Sequence, residues 1–104
     1  MKTFEIKSYG KTYKVHPVLN RYMNDTLAIS LVAESGEPFC TLTVNLATSV
    51  IWCNEKTAFV DINNCPWAEQ FIADNELGSP VGYTERSGFC IYPLYVFNLK
   101  KFLD

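Results

Sequence analysis

Asp61-Ile-Asn-Asn-Cys-Pro-Trp-Ala-Glu-Gln-Phe-Ile72 decides the fold class, because here the apolar spacing changes from every second residue to every third and fourth. Trp67, Ala68, Phe71 and Ile72 recur at helical spacing on one face. Asn63 and Asn64 supply side-chain oxygens suited to capping the start, and Pro66 fits the first turn, where its missing N–H is no loss. The helix is expected to run to about Leu77, with Gly78 in the terminating position and Pro80 forbidding continuation.

The chain before this helix reads as strands. Phe4 and Ile6 alternate with Glu5 and Lys7 from Thr3 to Tyr9, Gly10-Lys11 predicts a tight reversal, and Thr12 to His16 is the returning arm. Pro17 cannot donate to a ladder, so this arm is expected to be an edge or to bend there. Asn24-Asp25 signals a turn, since both tolerate the left-handed conformation, and Thr26 to Ala33 follows as a strand with Leu27, Ile29 and Leu31 on one face. Ser35-Gly36-Glu37-Pro38 closes a second hairpin. From Phe39 to Leu46, Cys40, Leu42, Val44 and Leu46 point to a dry side, and Thr41, Thr43 and Asn45 to a wet one. Val50-Ile-Trp52 reads as a short strand or a bridging loop, Asn54-Glu55-Lys56 as a turn, and Ala58 to Ile62 as a strand.

After the helix, Val81 to Gly88 is expected to be a polar loop. Phe89 to Phe97 is expected to be the last strand, with Pro93 placing it on an edge or at a bulge. Leu99 to Leu103 has the pattern of one helical turn. The whole predicts an α+β domain: an antiparallel meander of five or six strands with one α-helix packed on a face.

Length and composition fit one globular domain spanning residues 1–104. A chain of 104 residues buries about 65% of its unfolded surface, and 48% hydrophobic with 19% charged residues is too apolar for a disordered one. A net charge of −2 and a basic set limited to Arg21, Arg86 and lysines gathered towards the two ends argue against nucleic acid as the partner. Met1 to Lys7 alternates polar and apolar residues, unlike a secretory or transit signal, and no stretch approaches the ~20 apolar residues needed to span a bilayer. A cytoplasmic setting is expected. Cys40, Cys53, Cys65 and Cys90 lack Cys-x-x-Cys spacing and a neighbouring histidine, so they are expected to be reduced thiols rather than zinc ligands.

Leu27-Ala-Ile, Gly36-Glu-Pro-Phe, Leu42-Thr-Val-Asn-Leu46, Phe59-Val-Asp, Asn63-Asn64, Pro66-Trp-Ala-Glu-Gln-Phe71, Gly78 and Arg86-Ser-Gly-Phe-Cys-x-Tyr-Pro-Leu-Tyr95 together resemble an uncharacterised family of short proteins, domain-of-unknown-function family 4313. These come from gut Gram-positive bacteria and their mobile elements. The likeness runs from about Thr3 to Leu99. It implies a bacterial cytoplasmic or phage-linked protein and supplies no reaction.

The candidate chemistry is sparse. His16 is the one histidine, and a Cys–His pair requires the fold to bring a thiolate to it. No Gly-rich phosphate loop occurs, because Gly78, Gly82 and Gly88 are scattered and precede no helix. Asp61, Asn63 and Asn64 place three oxygen-bearing side chains at a strand-to-helix junction, where they can hold a polar ligand or cap the helix; a calcium loop carries more carboxylates and a central glycine, so no metal or cofactor is expected. Arg86, between Glu85 and Ser87, presents a planar fork either to a partner's carboxylate or phosphate or to an internal acid, with Asp61, Glu69 and Glu85 the available acids. Tyr83, Tyr92 and Tyr95 beside it read as core or rim aromatics, and aromatics with arginine are also the composition of interaction hot spots.

Asp61, Asn63, Asn64, Tyr83, Arg86, Ser87, Tyr92 and Tyr95 are therefore the candidate residues for binding a ligand or partner. The leading reading is a non-enzymatic module that binds a protein partner through an exposed sheet edge or the Tyr83 to Tyr95 surface. The alternative is a small-ligand-binding or cysteine-dependent hydrolytic domain, with Cys90 or Cys65 as nucleophile and Asp61 and Arg86 as positioning groups. Partner identity and oligomeric state are not encoded in any motif.

Overall fold

The computed structural model describes residues 2–103, and for Val50 the backbone. Strands β1 (Phe4–Ser8) and β2 (Lys11–Arg21) form the first hairpin, with Ser8 paired to Lys11. The reversal is Tyr9-Gly10, one residue earlier than Gly10-Lys11. Both residues have positive φ, 52° and 76°, as the primed turn favoured by twisted hairpins requires. β2 neither stops nor bends at Pro17, which pairs with Leu31. β1 ends opposite Val15, so beyond it β2 has a neighbour on one side only and the missing N–H is tolerated.

The turn at Asn24-Asp25 is as expected: Asp25 has φ 66°, and Asn24 Oδ1 accepts the Thr26 hydroxyl at 2.7 Å. β3 (Leu27–Ala33) then pairs with β4 (Pro38–Thr41), completing a four-stranded sheet in the order β1-β2-β3-β4. The expected long strand from Phe39 to Leu46 is divided at Leu42. Beyond it β5 (Thr43–Val44) belongs to a second four-stranded sheet with β6 (Thr57–Val60), β7 (Gly78–Ser87) and β8 (Cys90–Phe97), in the order β5-β6-β8-β7. Fully buried Leu42 is the hinge between the sheets, its N–H donating to Ile29 O and its C=O accepting from Asp61 N, both at 2.9 Å.

The α+β class is right and the single meander is not: among the described residues eight antiparallel strands form two sheets, and β8 inserts between β6 and β7. The division also corrects Thr43, expected to face water. It is buried, its Oγ1 accepting the Ile29 N–H at 3.1 Å and bonded to Tyr22 Oη at 2.9 Å, so the two polar side chains close the seam where one sheet gives way to the other.

Between the strands lie α1 (Ser49–Trp52) and α2 (Ala68–Asp74), and the tail makes the expected helical turn as a 3-10 turn from Leu99 to Phe102. α1 replaces the strand or loop expected at Val50 to Trp52. α2 is shorter than expected, because Glu76, at φ 54°, takes the left-handed position in place of Gly78. Ala68, Phe71 and Ile72 face the core as the spacing requires. Phe71 meets Phe4 and Trp67 edge to face, with centroids 6.1 and 5.7 Å away, and Phe102 closes the far side of Phe4 at 6.3 Å.

Candidate functional site

The segment expected to be a polar loop is β7, a ten-residue edge strand. Gly78 begins it because its neighbour comes too close for a side chain: a Cβ there would lie 2.5 Å from Val96 O. The pairing slips between Pro80 and Thr84, with Gly82 at φ 88°, and resumes as Thr84–Pro93, Glu85–Tyr92, Arg86–Ile91 and Ser87–Cys90. Pro93 therefore sits beside the irregularity. β6 pairs with β8 only from Leu94 to Val96, so the outer half of β7 and β8 is a two-stranded arm with no third strand.

The alternation of side chains sorts the candidate residues onto two faces. Tyr83 and Tyr92 share a face with Phe59 and Leu94, where a small apolar cluster includes Leu46 and Cys53. α1 reaches over it, placing the Trp52 ring 4.5 Å from that of Tyr83. Tyr83 donates its hydroxyl to Glu85 Oε2 at 2.7 Å, and that bond, more than its partial desolvation, raises its pKa. Tyr92 is raised chiefly by its contact with the Cys90 thiol. Arg86 and Ile91 lie on the opposite face. Among the described residues Arg86 has no salt bridge and no side-chain hydrogen bond, so the internal pairing with Asp61, Glu69 or Glu85 is not formed. Ser87 is exposed beside it, and at the tip Gly88 (φ 62°) turns the chain so that Phe89 stands fully exposed.

The remaining candidates are built into the fold. Buried Asp61 accepts the Asn64 N–H at 3.1 Å and the Asn64 Nδ2 at 2.8 Å, so the carboxylate organises the approach to α2. The helix itself starts from Trp67 without a side-chain cap, and Asn63 is exposed; the capping expected of the two asparagines is not made. Tyr95, on the inner face, donates to Glu69 Oε1 at 2.6 Å, and burial together with that carboxylate pushes its phenol well above the usual tyrosine range.

Cys40 and Cys65, separated by 25 positions, form a disulfide with Cα atoms 7.4 Å apart, which corrects the expectation that all four cysteines are reduced thiols. Cys53 and Cys90 are free. Cys65 is completely buried, and burial raises the Cys53 thiol, opposite to the depressed pKa of a nucleophile. The sequence reading missed Trp52, Ile51 and Phe89, which are 45%, 72% and 102% exposed. Their signal was present in Val50-Ile-Trp52, three consecutive apolar residues that one strand face cannot bury together, and in an aromatic placed directly after a turn glycine.

A family model described as a domain of unknown function, DUF4313, matches residues 17–104. The chain belongs to this family. The DUF4313 match covers the second sheet, α2 and the arm, and begins at Pro17, leaving β1 and the first part of β2 outside it. No curated protein and no solved structure matches the chain. Among the described residues, no helix is long and apolar enough to cross a membrane.

Proposed function

We propose that this DUF4313 chain is a non-enzymatic protein-binding module that engages a protein partner through the β7–β8 arm and the Trp52 side of the neighbouring aromatic cluster. The observation that carries the reading is the arm itself. It holds fully exposed Phe89, half-exposed Ile91 and an arginine without an internal partner among the described residues, on a two-stranded projection outside the main core. Exposed aromatic and aliphatic surface around an arginine is the composition of an interface anchor, and truncating such an arginine commonly costs about 2 kcal/mol or more of affinity. Asp61 and Asn64 are bonded to each other ahead of α2 and Tyr95 to Glu69 of α2, so they are assigned structural work rather than binding. A cytoplasmic, bacterial and mobile-element setting belongs to the same proposal and rests on the resemblance of the motifs.

The test is retention of partner from an extract of the source cells by immobilised wild-type chain, compared with chains carrying Arg86→Ala, Phe89→Ala or Trp52→Ala. The reading expects one protein held by the wild type and lost by these variants, while the thermal midpoints of the Arg86→Ala and Phe89→Ala chains stay unchanged and the Trp52→Ala chain, which loses its ring contact with Tyr83, still folds. The same protein held equally by all of them would reject the arm as the binding surface.

A further inference from the structure

β1 is the outer strand of its sheet, and its register fixes which backbone groups are free. Ser8 faces Lys11 across a two-residue turn, so the hydrogen-bonded pairs within the hairpin are Ser8–Lys11, Ile6–Tyr13 and Phe4–Val15. Glu5 and Lys7 occupy the alternate positions, where N–H and C=O point away from β2. Among the described residues no other strand takes them up. The side chains of Glu5 and Lys7 are exposed on the outer face of the sheet, whereas Phe4 and Ile6 face the core and are buried.

A free edge is a template for another strand, and charges along it discourage most neighbours. Here they discourage most registers but favour one. When β1 meets a copy of itself antiparallel, Glu5 opposite Glu5 and Lys7 opposite Lys7 both set like charges side by side, which destabilises a cross-strand pair. The remaining register sets Glu5 of each copy opposite Lys7 of the other, about a twofold axis that passes between the two Ile6 residues. Within each copy Glu5 faces Lys14 and Lys7 faces Thr12, so the outer row then reads Lys14, Glu5, Lys7, Thr12, with its signs alternating. An open groove of about 500 Å³ between β1 and α2 leaves room beside the edge for the incoming strand. The two α2 helices come to the same face of the joined sheet, where Glu69 is bonded to Tyr95 of the second sheet and Asp74 accepts the Gln70 amide at 2.6 Å.

We propose that the chain forms a twofold dimer by antiparallel pairing of β1 with β1 of a second copy, in the register that sets Glu5 opposite Lys7. Each such pair joins residues whose main-chain groups all point outward, so it exchanges two hydrogen bonds. The opposite charges meet on the outer face, and the two four-stranded sheets become one. The contact is isologous, the same patch serving both copies. A foreign strand can use the same main-chain groups, but the order Glu5-Ile6-Lys7 is complementary to itself, and that decides the occupant. The edge belongs to the first sheet, apart from the β7–β8 arm, so the dimer stands or falls independently of the partner proposed for the arm.

Sedimentation of the chain by itself over a range of concentrations at low ionic strength is expected to show a monomer–dimer equilibrium. Hydrogen exchange at the Glu5 and Lys7 amides is expected to slow as the dimer fills. Lys7→Glu sets acid against acid at both pairs and is expected to weaken the dimer about tenfold or more, as exchanging attractive for repulsive cross-strand pairs predicts. Glu5→Lys sets cation against cation with the same result, and either variant carries the charge test if the other fails to fold. Mixing the two folded variants restores opposite charges at both pairs and is expected to return a mixed dimer, which a mere loss of stability does not produce. The proposal is overturned if the wild-type chain stays monomeric at the highest concentration tested, or if it dimerises with the Glu5 and Lys7 amides unprotected. It is equally overturned if the charge reversals leave the dimer unchanged, or if the two folded variants fail to associate when mixed. Protection of those amides only when a protein from the cell extract is bound also overturns it, since the edge then serves another chain.

Discussion

Gly78 and Arg86 show how differently a single residue can matter in this chain. Gly78 lies where β7 leaves α2, and the Val96 carbonyl fills the place of its Cβ. Gly78→Ala is therefore expected to push β7 from β8 and to cost about 1–3 kcal/mol in a denaturant titration, by overpacking. An unchanged midpoint would show that β7 can shift without loss. Arg86, exposed and without an acid partner, is expected to leave the midpoint within about 0.5 kcal/mol when replaced by alanine. A larger loss would reveal an internal role that its surroundings do not suggest. The sequence reading made Gly78 a helix terminator and left Arg86 open between an internal acid and a partner. The first reading failed because it assigned Gly78 to its neighbours in the chain, whereas Val96, 18 residues further on, fills the space beside it; of the two readings of Arg86, the internal pairing is not formed among the described residues.

At the scale of elements, the strands and helix that alternate or repeat cleanly were legible: the first hairpin, β3, β6, β8, the inner face of α2 and the closing 3-10 turn. β7 was not. Its Gly82, Pro80 and polar side chains look like a loop, and it becomes a strand only because β8 offers a partner and the bulge absorbs the glycine. The polar site was half legible. Asp61 was correctly placed at the strand-to-helix junction, but it, rather than the asparagines, organises the approach by holding Asn64 through two bonds. Asp61→Ala is expected to cost about 1–2 kcal/mol, as loss of a helix cap does, and to speed hydrogen exchange of the Asn64 amide. Unaltered exchange there would mean that the turn holds itself.

The whole molecule is two sheets joined at Leu42 and closed by α2, and no local pattern marks that joint. The polar–apolar alternation of the sequence runs through Leu42 unbroken although Leu42 and Thr43 are both buried, so the change of hydrogen-bond partner from Ile29 to Asp61 is visible only in three dimensions. Tyr95 ties the second sheet to the helix through Glu69. The folded state holds this phenol protonated to a higher pH than the unfolded chain does, so its contribution is complete below the ordinary tyrosine pKa of 10.0 and is lost as pH rises beyond it. Tyr22, Tyr83 and Tyr92 shift in the same direction. Stability is thus expected to decline above pH of about 10. Tyr95→Phe should cost about 1–1.5 kcal/mol near neutral pH and make the alkaline decline shallower. An equally steep decline in the variant would assign it to other groups.

The measurement that bears most directly on function is the affinity of an Arg86→Ala, Phe89→Ala double variant for the partner retained by the wild-type chain, read beside its thermal midpoint. Binding through the arm predicts a loss of at least about thirtyfold, equivalent to ~2 kcal/mol, with the fold intact. Undiminished affinity in a fully folded double variant would contradict it.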